Sequence, residues 1–73
     1  MYTLEQFKSL PLIQKYVVVE SLADKAGYAC NSRYKVLLFS LEDFFIAVYY
    51  LFLKDEWTIV KFIADRSKDK LFT

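Results

Sequence analysis

Residues 34–53 read YKVLLFSLEDFFIAVYYLFL, and their only charged side chains are Lys35, Glu42 and Asp43. Two adjacent acids in the middle of an apolar run decide what the segment can become. A membrane-spanning helix needs ~20 apolar residues. The longest uninterrupted stretch here, Phe44 to Leu53, has ten, and each acid held at mid-bilayer costs a few kcal/mol. No membrane span is therefore expected. Glu42-Asp43 instead mark a chain reversal, and the run predicts a β-hairpin with strands at 34–41 and 44–53. A two-residue loop pairs Leu41 with Phe44, Phe39 with Ile46 and Leu37 with Val48 on one face, which Tyr50 and Phe52 share. Val36, Leu38, Phe45, Ala47, Tyr49 and Leu51 take the other face. Glu-Asp is not the Asn-Gly or Asp-Gly pair of a tight type I′ turn, so the turn type stays open.

Upstream, Thr3-Leu4-Glu5-Gln6 matches a capping box and opens a short helix over 3–8. Pro11 disfavours helix before it and is tolerated in a first turn, so a second helix starts there. Leu12, Tyr16, Val19, Ala23 and Ala26 recur at three and four, which predicts a main amphipathic helix over 11–26. Gly27, the only glycine, stands where a helix C-cap belongs. The Val17-Val18-Val19 run lowers intrinsic helix propensity, so packing must hold the helix. Downstream, Lys54-Asp55-Glu56 forms a second turn and 57–64 a third strand, in which Val60 and Phe62 point inward while Trp57, Ile59 and Lys61 face out. Residues 65–73 read as a flexible polar tail, with a helical turn in it as the other reading. The expected architecture is one α+β domain over 1–73: a short helix and one main helix packed on a three-stranded antiparallel β-meander.

At 73 residues, with 56% of them hydrophobic and 19% aromatic, such a domain holds more large apolar side chains than its core can take. A chain this small buries only ~60% of the surface it exposes when unfolded. One helix roofs one face of a sheet, and half-exposed antiparallel sheets normally alternate apolar-in with polar-out. Here the second face is also apolar. Val36, Leu38, Phe45, Tyr49, Leu51, Trp57 and Ile59 are therefore the expected interface. The reading is a non-enzymatic protein-interaction module that forms a homodimer or docks to another protein. The other candidates are an apolar small-molecule or lipid-binding module, and a sheet that stacks nucleic-acid bases on Phe45, Tyr49 and Trp57.

Chemistry is poorly supplied. The chain has no histidine, the commonest general base and metal ligand. One cysteine without histidine does not make a zinc site within a monomer, and one glycine does not build a phosphate-cradling loop. Glu42-Asp43 and Asp55-Glu56 sit at opposite sheet ends, about 30 Å apart for strands of nine residues. No catalytic, cofactor or metal residue is assigned. Ten basic against nine acidic residues gives no concentrated positive charge for a phosphate backbone, although Arg33, Lys35, Lys61 and Arg66 are available. Cys30 has no intrachain partner, so a buried apolar thiol in a cytoplasmic protein is expected, with an intermolecular or reactive thiol the other reading.

Phe7-Lys8-Ser9-Leu10-Pro11, Gly27, Arg33, Val36-Leu37-Leu38-Phe39-Ser40-Leu41 and Phe44-Phe45-Ile46-Ala47-Val48-Tyr49-Tyr50 follow in an order that resembles a group of short bacterial proteins of unknown function. Those proteins have a helix followed by an antiparallel meander, and the likeness covers residues 7–63. Ala47 stands where an acidic residue is expected in the second strand. The resemblance implies a fold and no activity.

Overall fold

The computed structural model describes residues 2–71. Helix α1 spans Leu4–Lys8 and opens on the expected capping box. The Gln6 backbone N–H donates to Thr3 Oγ1 at 3.1 Å, and the Thr3 N–H donates to Gln6 Oε1 at 2.9 Å. Two of the helix's orphan donors are thereby satisfied, and Leu4 and Phe7, one turn apart, go into the core. Pro11, extended at φ −61° and ψ 159°, starts helix α2 over Leu12–Leu22.

That helix is one turn shorter than its periodicity suggests, and the chain after it corrects two expectations. Ala23 is extended (φ −88°, ψ 150°), and Asp24–Cys30 form an edge strand, β1. The sheet therefore has four strands: β1, then β2 (Tyr34–Leu41), β3 (Phe44–Leu53) and β4 (Glu56–Asp65), all antiparallel neighbours in chain order. Gly27 is a strand residue facing Leu38, not a helix cap. Pairing with β2 satisfies the backbone groups of 24–30 that face it, and Gly27 weakens a helical continuation through the same residues. Between β1 and β2, Asn31 Oδ1 accepts the backbone N–H groups of Arg33 and Tyr34 at 2.8 and 2.9 Å, closing the turn.

The central hairpin has the expected register, Leu41 against Phe44, Phe39 against Ile46 and Leu37 against Val48. Glu42 carries the one positive φ of its turn (54°), whereas Lys54 and Asp55 at the β3–β4 turn are both positive, at 51° and 65°. Positive φ at both central residues belongs to type I′, whose twist matches that of the flanking strands.

A bulge resets the fourth strand. Tyr49 pairs with Lys61 and Tyr50 with Ile59, leaving Val60 as the extra residue. One extra residue moves everything before it to the opposite face. Phe62 points inward as expected. Ile59 and Trp57, expected beside Lys61, stand instead on the helix side with Tyr50 and Phe52, and Val60, expected inward, is exposed.

Helices α1 and α2 cover one face of the sheet, where Phe7, Val18, Val19, Phe44, Ile46 and Val48 are buried together. Phe7 is the hub, its ring 5.9 Å from that of Phe44 and 6.4 Å from that of Phe62. The opposite face has a second, smaller cluster of Val36, Leu38, Ala47 and Leu71. Leu71 belongs to a 3₁₀ turn, Lys68–Leu71, the helical turn that was the other reading of the expected flexible tail. Residues 72–73 of that tail lie outside the described residues.

Candidate functional site

Three of the chain's surfaces carry apolar area, and the residues expected to form one interface are divided among them. Val36 and Leu38 are each only 2% exposed. They were expected on an open face, and Leu71 covers them. The turn that brings Leu71 there begins with Asp65, whose carboxylate accepts the Ser67 backbone N–H at 2.9 Å. That bond holds the Asp65 carboxyl below its ordinary pKa, with the positive charge of Lys70 helping. At the far end, the Tyr49 hydroxyl donates to the Leu71 carbonyl. Phe45 and Tyr49 are half-buried around the plug, with Lys68 Nζ 5.5 Å and Lys61 Nζ 4.7 Å from their ring centroids. Leu51 lies beyond the turn and stays exposed, next to Tyr34 and Val60.

The larger open surface is on the helix side, where sequence reasoning expected cover. Of the eleven residues in α2, only Val18 and Val19 are buried. Leu12 and Tyr16, expected in the buried stripe, are exposed, as are Ile13, Val17 and Leu22. The helix ends at Leu22 and seats its second half on the sheet. Its first half stands off, leaving a groove of about 520 Å³ that separates Leu12, Ile13 and Tyr16 from Tyr50, Trp57, Ile59 and Phe62. Trp57 and Ile59 thus line this groove and do not join Tyr49. Ile13 and Val17 were missed as surface residues. Their signal was a second pair of apolar positions four apart, off the assigned stripe.

Electrostatics in the groove is set by its aromatic floor. Lys35 Nζ lies 4.9 Å from the ring centroids of both Tyr50 and Trp57, and Phe52 packs on Trp57 at 5.2 Å. The Tyr50 hydroxyl is pushed above its ordinary pKa of 10.0 by burial first, and then by the negative charge that Tyr16 and Glu20 can carry nearby. Such a phenol stays neutral at physiological pH and serves as a hydrogen-bond donor at an apolar wall. The aromatic faces considered for base stacking (Phe45, Tyr49 and Trp57) each have a lysine of the chain itself over the ring. Arg66 lies 3.8 Å from Glu5 and 3.6 Å from Asp43. Those exposed pairs tie α1 to the β2–β3 turn at a worth of about 0–1 kcal/mol each.

The third surface is β1, exposed along all seven residues. Cys30, expected to be buried, is exposed there, and its thiol donates to the Asn31 carbonyl at 3.4 Å. Two residues away, Tyr28 is held above its ordinary pKa by its hydrogen bond to Cys30 and by the negative charge of that thiol when ionised. Among the described residues, no three His, Cys, Asp or Glu side chains come together to hold a metal ion. No helix among them is long and apolar enough to cross a membrane. No family model matches the chain, and neither a curated protein nor a solved structure matches it.

Proposed function

We propose that this chain is a small non-enzymatic protein-interaction module that pairs with a second copy of itself through the solvent-facing side of α2 and the groove beside it. One observation carries the reading: α2 is apolar on both sides, and Ile13 (75% exposed) and Val17 (49%) present the second side to solvent. Large apolar side chains left together on the solvent side of a helix mark a surface suited to a partner. Leu12, Tyr16 and Trp57 extend the same patch to the sheet. A stable interface takes ~800 Å² per partner, about a sixth of the chain's 5023 Å². The contact moves here from the outer face because Leu71 already covers Val36 and Leu38.

The test is Ile13→Lys, alone and with Val17→Lys. Complete burial of an isoleucine side chain is worth about 1.5–3 kcal/mol. With 75% of Ile13 available and the residue present twice across a twofold axis, the loss is about 2–4 kcal/mol, or roughly 30- to 1000-fold in dissociation constant. Monomer stability changes by no more than about 0.5 kcal/mol, as for other surface substitutions. A wild-type chain that sediments as a monomer at high micromolar concentration refutes self-association.

A second reading has an observation of its own. A groove of about 520 Å³ with apolar walls lies within the ~300–1,000 Å³ range of small-molecule sites, which favours an apolar ligand or lipid between helix and sheet. Native mass spectrometry of the freshly purified protein separates the two readings: a bound small molecule supports the ligand, a doubled mass the dimer.

A further inference from the structure

We infer that the outer face of the sheet is a second self-association surface, held shut by the chain's own turn Lys68–Leu71. Leu71 is fully buried on Val36, Leu38 and Ala47, yet the turn that delivers it contributes no other apolar residue (KDKL). Its attachments to the sheet include the Leu71 side chain, the Tyr49 hydroxyl on the Leu71 carbonyl and Lys68 over Phe45; the Asp65 carboxylate on the Ser67 N–H and the exposed pairs of Arg66 with Glu5 and Asp43 hold its base. Against them stands the conformational entropy of ordering residues 67–71. Such a segment opens locally without unfolding the sheet, because the buried cluster on the helix side is separate from it.

What opening uncovers is suited to a second copy of the same face. Its centre (Val36, Leu38 and Ala47) is uncharged, and it continues past the turn into Tyr34, Leu51 and Val60, which are exposed even with the turn closed. The charged residues of this face, Asp24, Glu56, Lys61 and Asp65, lie on the outermost strands β1 and β4. Two such faces stack as a β-sandwich. Strands about 4.8 Å apart and eight residues long give a four-stranded face of about 500 Å² in plan, before side-chain relief is counted. That is on the order of the ~800 Å² per partner of a stable interface. With two such surfaces on opposite sides, an unstrapped chain would assemble without limit, so the turn confines association to the helix side.

The experiment introduces Leu71→Asp into the Ile13→Lys background, which removes the α2 contact, and follows sedimentation together with far-UV circular dichroism. The expected result is a retained sheet signal and a weight-average mass about twice that of I13K alone at equal concentration, with Leu71→Ala intermediate. Adding Val36→Lys should return the opened variant to the I13K mass. If L71D/I13K keeps its sheet but not a raised mass, the inference is overturned, including the case in which it binds a hydrophobic dye as a monomer. If L71D and the milder L71A both lose the sheet, the turn is part of the core and the inference is equally overturned. A wild-type monomer would remove the α2 reading and leave this one standing, since the comparison is between opened and closed chains.

Discussion

Gly27→Ala distinguishes a helix-capping glycine from a strand glycine by the sign of its effect. A glycine just past a helix commonly adopts the left-handed conformation, and placing an L side chain there costs about 1–2 kcal/mol. In the fold, the glycine has no positive φ and lies in β1 opposite Leu38. A Cβ built on it lies 3.4 Å from Leu38 Cβ and 3.5 Å from Leu38 Cδ2, ordinary contact with little to move aside. Glycine in a strand interior is about 0.5–1 kcal/mol worse than alanine, and removing it narrows the unfolded ensemble by a similar amount. Allowing for the close Leu38 Cβ, the net gain is about 0.5 kcal/mol, a rise of about 2–4 °C in Tm for a domain of this size. Urea denaturation read by circular dichroism, with calorimetry for Tm, measures it. A loss of more than about 1 kcal/mol would mean that residue 27 is left-handed and that β1 does not pair as described.

The β3–β4 turn offers a larger gain: Lys54 and Asp55 both sit at positive φ, and Lys54→Asn with Asp55→Gly installs the preferred type I′ pair. About 1–2 kcal/mol of stabilisation is expected from relief of that strain, seen as a higher urea midpoint at unchanged slope, and an unchanged midpoint would refute the turn assignment. Asp65→Asn tests the start of the closing turn through pH. Because the Asp65 pKa is lowered by the Ser67 N–H, the carboxylate contributes stability that is present above the ordinary carboxylate range and is lost as pH falls from there through the lowered pKa. The wild type should exceed D65N in urea melts at pH 7 and lose that advantage progressively as the pH is taken below the ordinary carboxylate range, and a pH-independent difference would sink the attribution.

The parts of the fold legible in the sequence were those where burial imposes a period. The hairpin register follows from two acids interrupting an apolar run, and α1 from a capping box that closes in both directions. What escaped was set by pairing without burial. β1 (DKAGYAC) is exposed at every position, so it has no alternation to read, and its two alanines continue the helical spacing of α2. The Val60 bulge is invisible for a related reason. Either register of residues 57–64 puts some apolar residues inward, and only the competition between Val60 and Ile59 for the place opposite Tyr50 decides. Leu71 was hidden by its neighbours, since a Leu-Phe pair after a run of lysines and aspartates reads as tail until a hydroxyl such as that of Tyr49 is found to anchor it.

The proposed self-association uses a face and not an edge for a reason that lies in bulges on both outer strands. A four-stranded open sheet has two bare edges, each a template for another strand. On β1 the bulge falls at Ala26, immediately after Lys25, and on β4 it falls at Val60, immediately before Lys61. A bulge twists the strand and breaks the even spacing of its free backbone groups, and an adjacent lysine opposes a flat approach. Both edges are blunted by the same device. The apolar surface left over is on the two sides of the sheet, half-roofed by α2 on one and plugged by Leu71 on the other. Of these, the helix side leaves Ile13 and Val17 exposed, with no cover among the described residues. Pairing there leaves both bulged edges and the plug undisturbed.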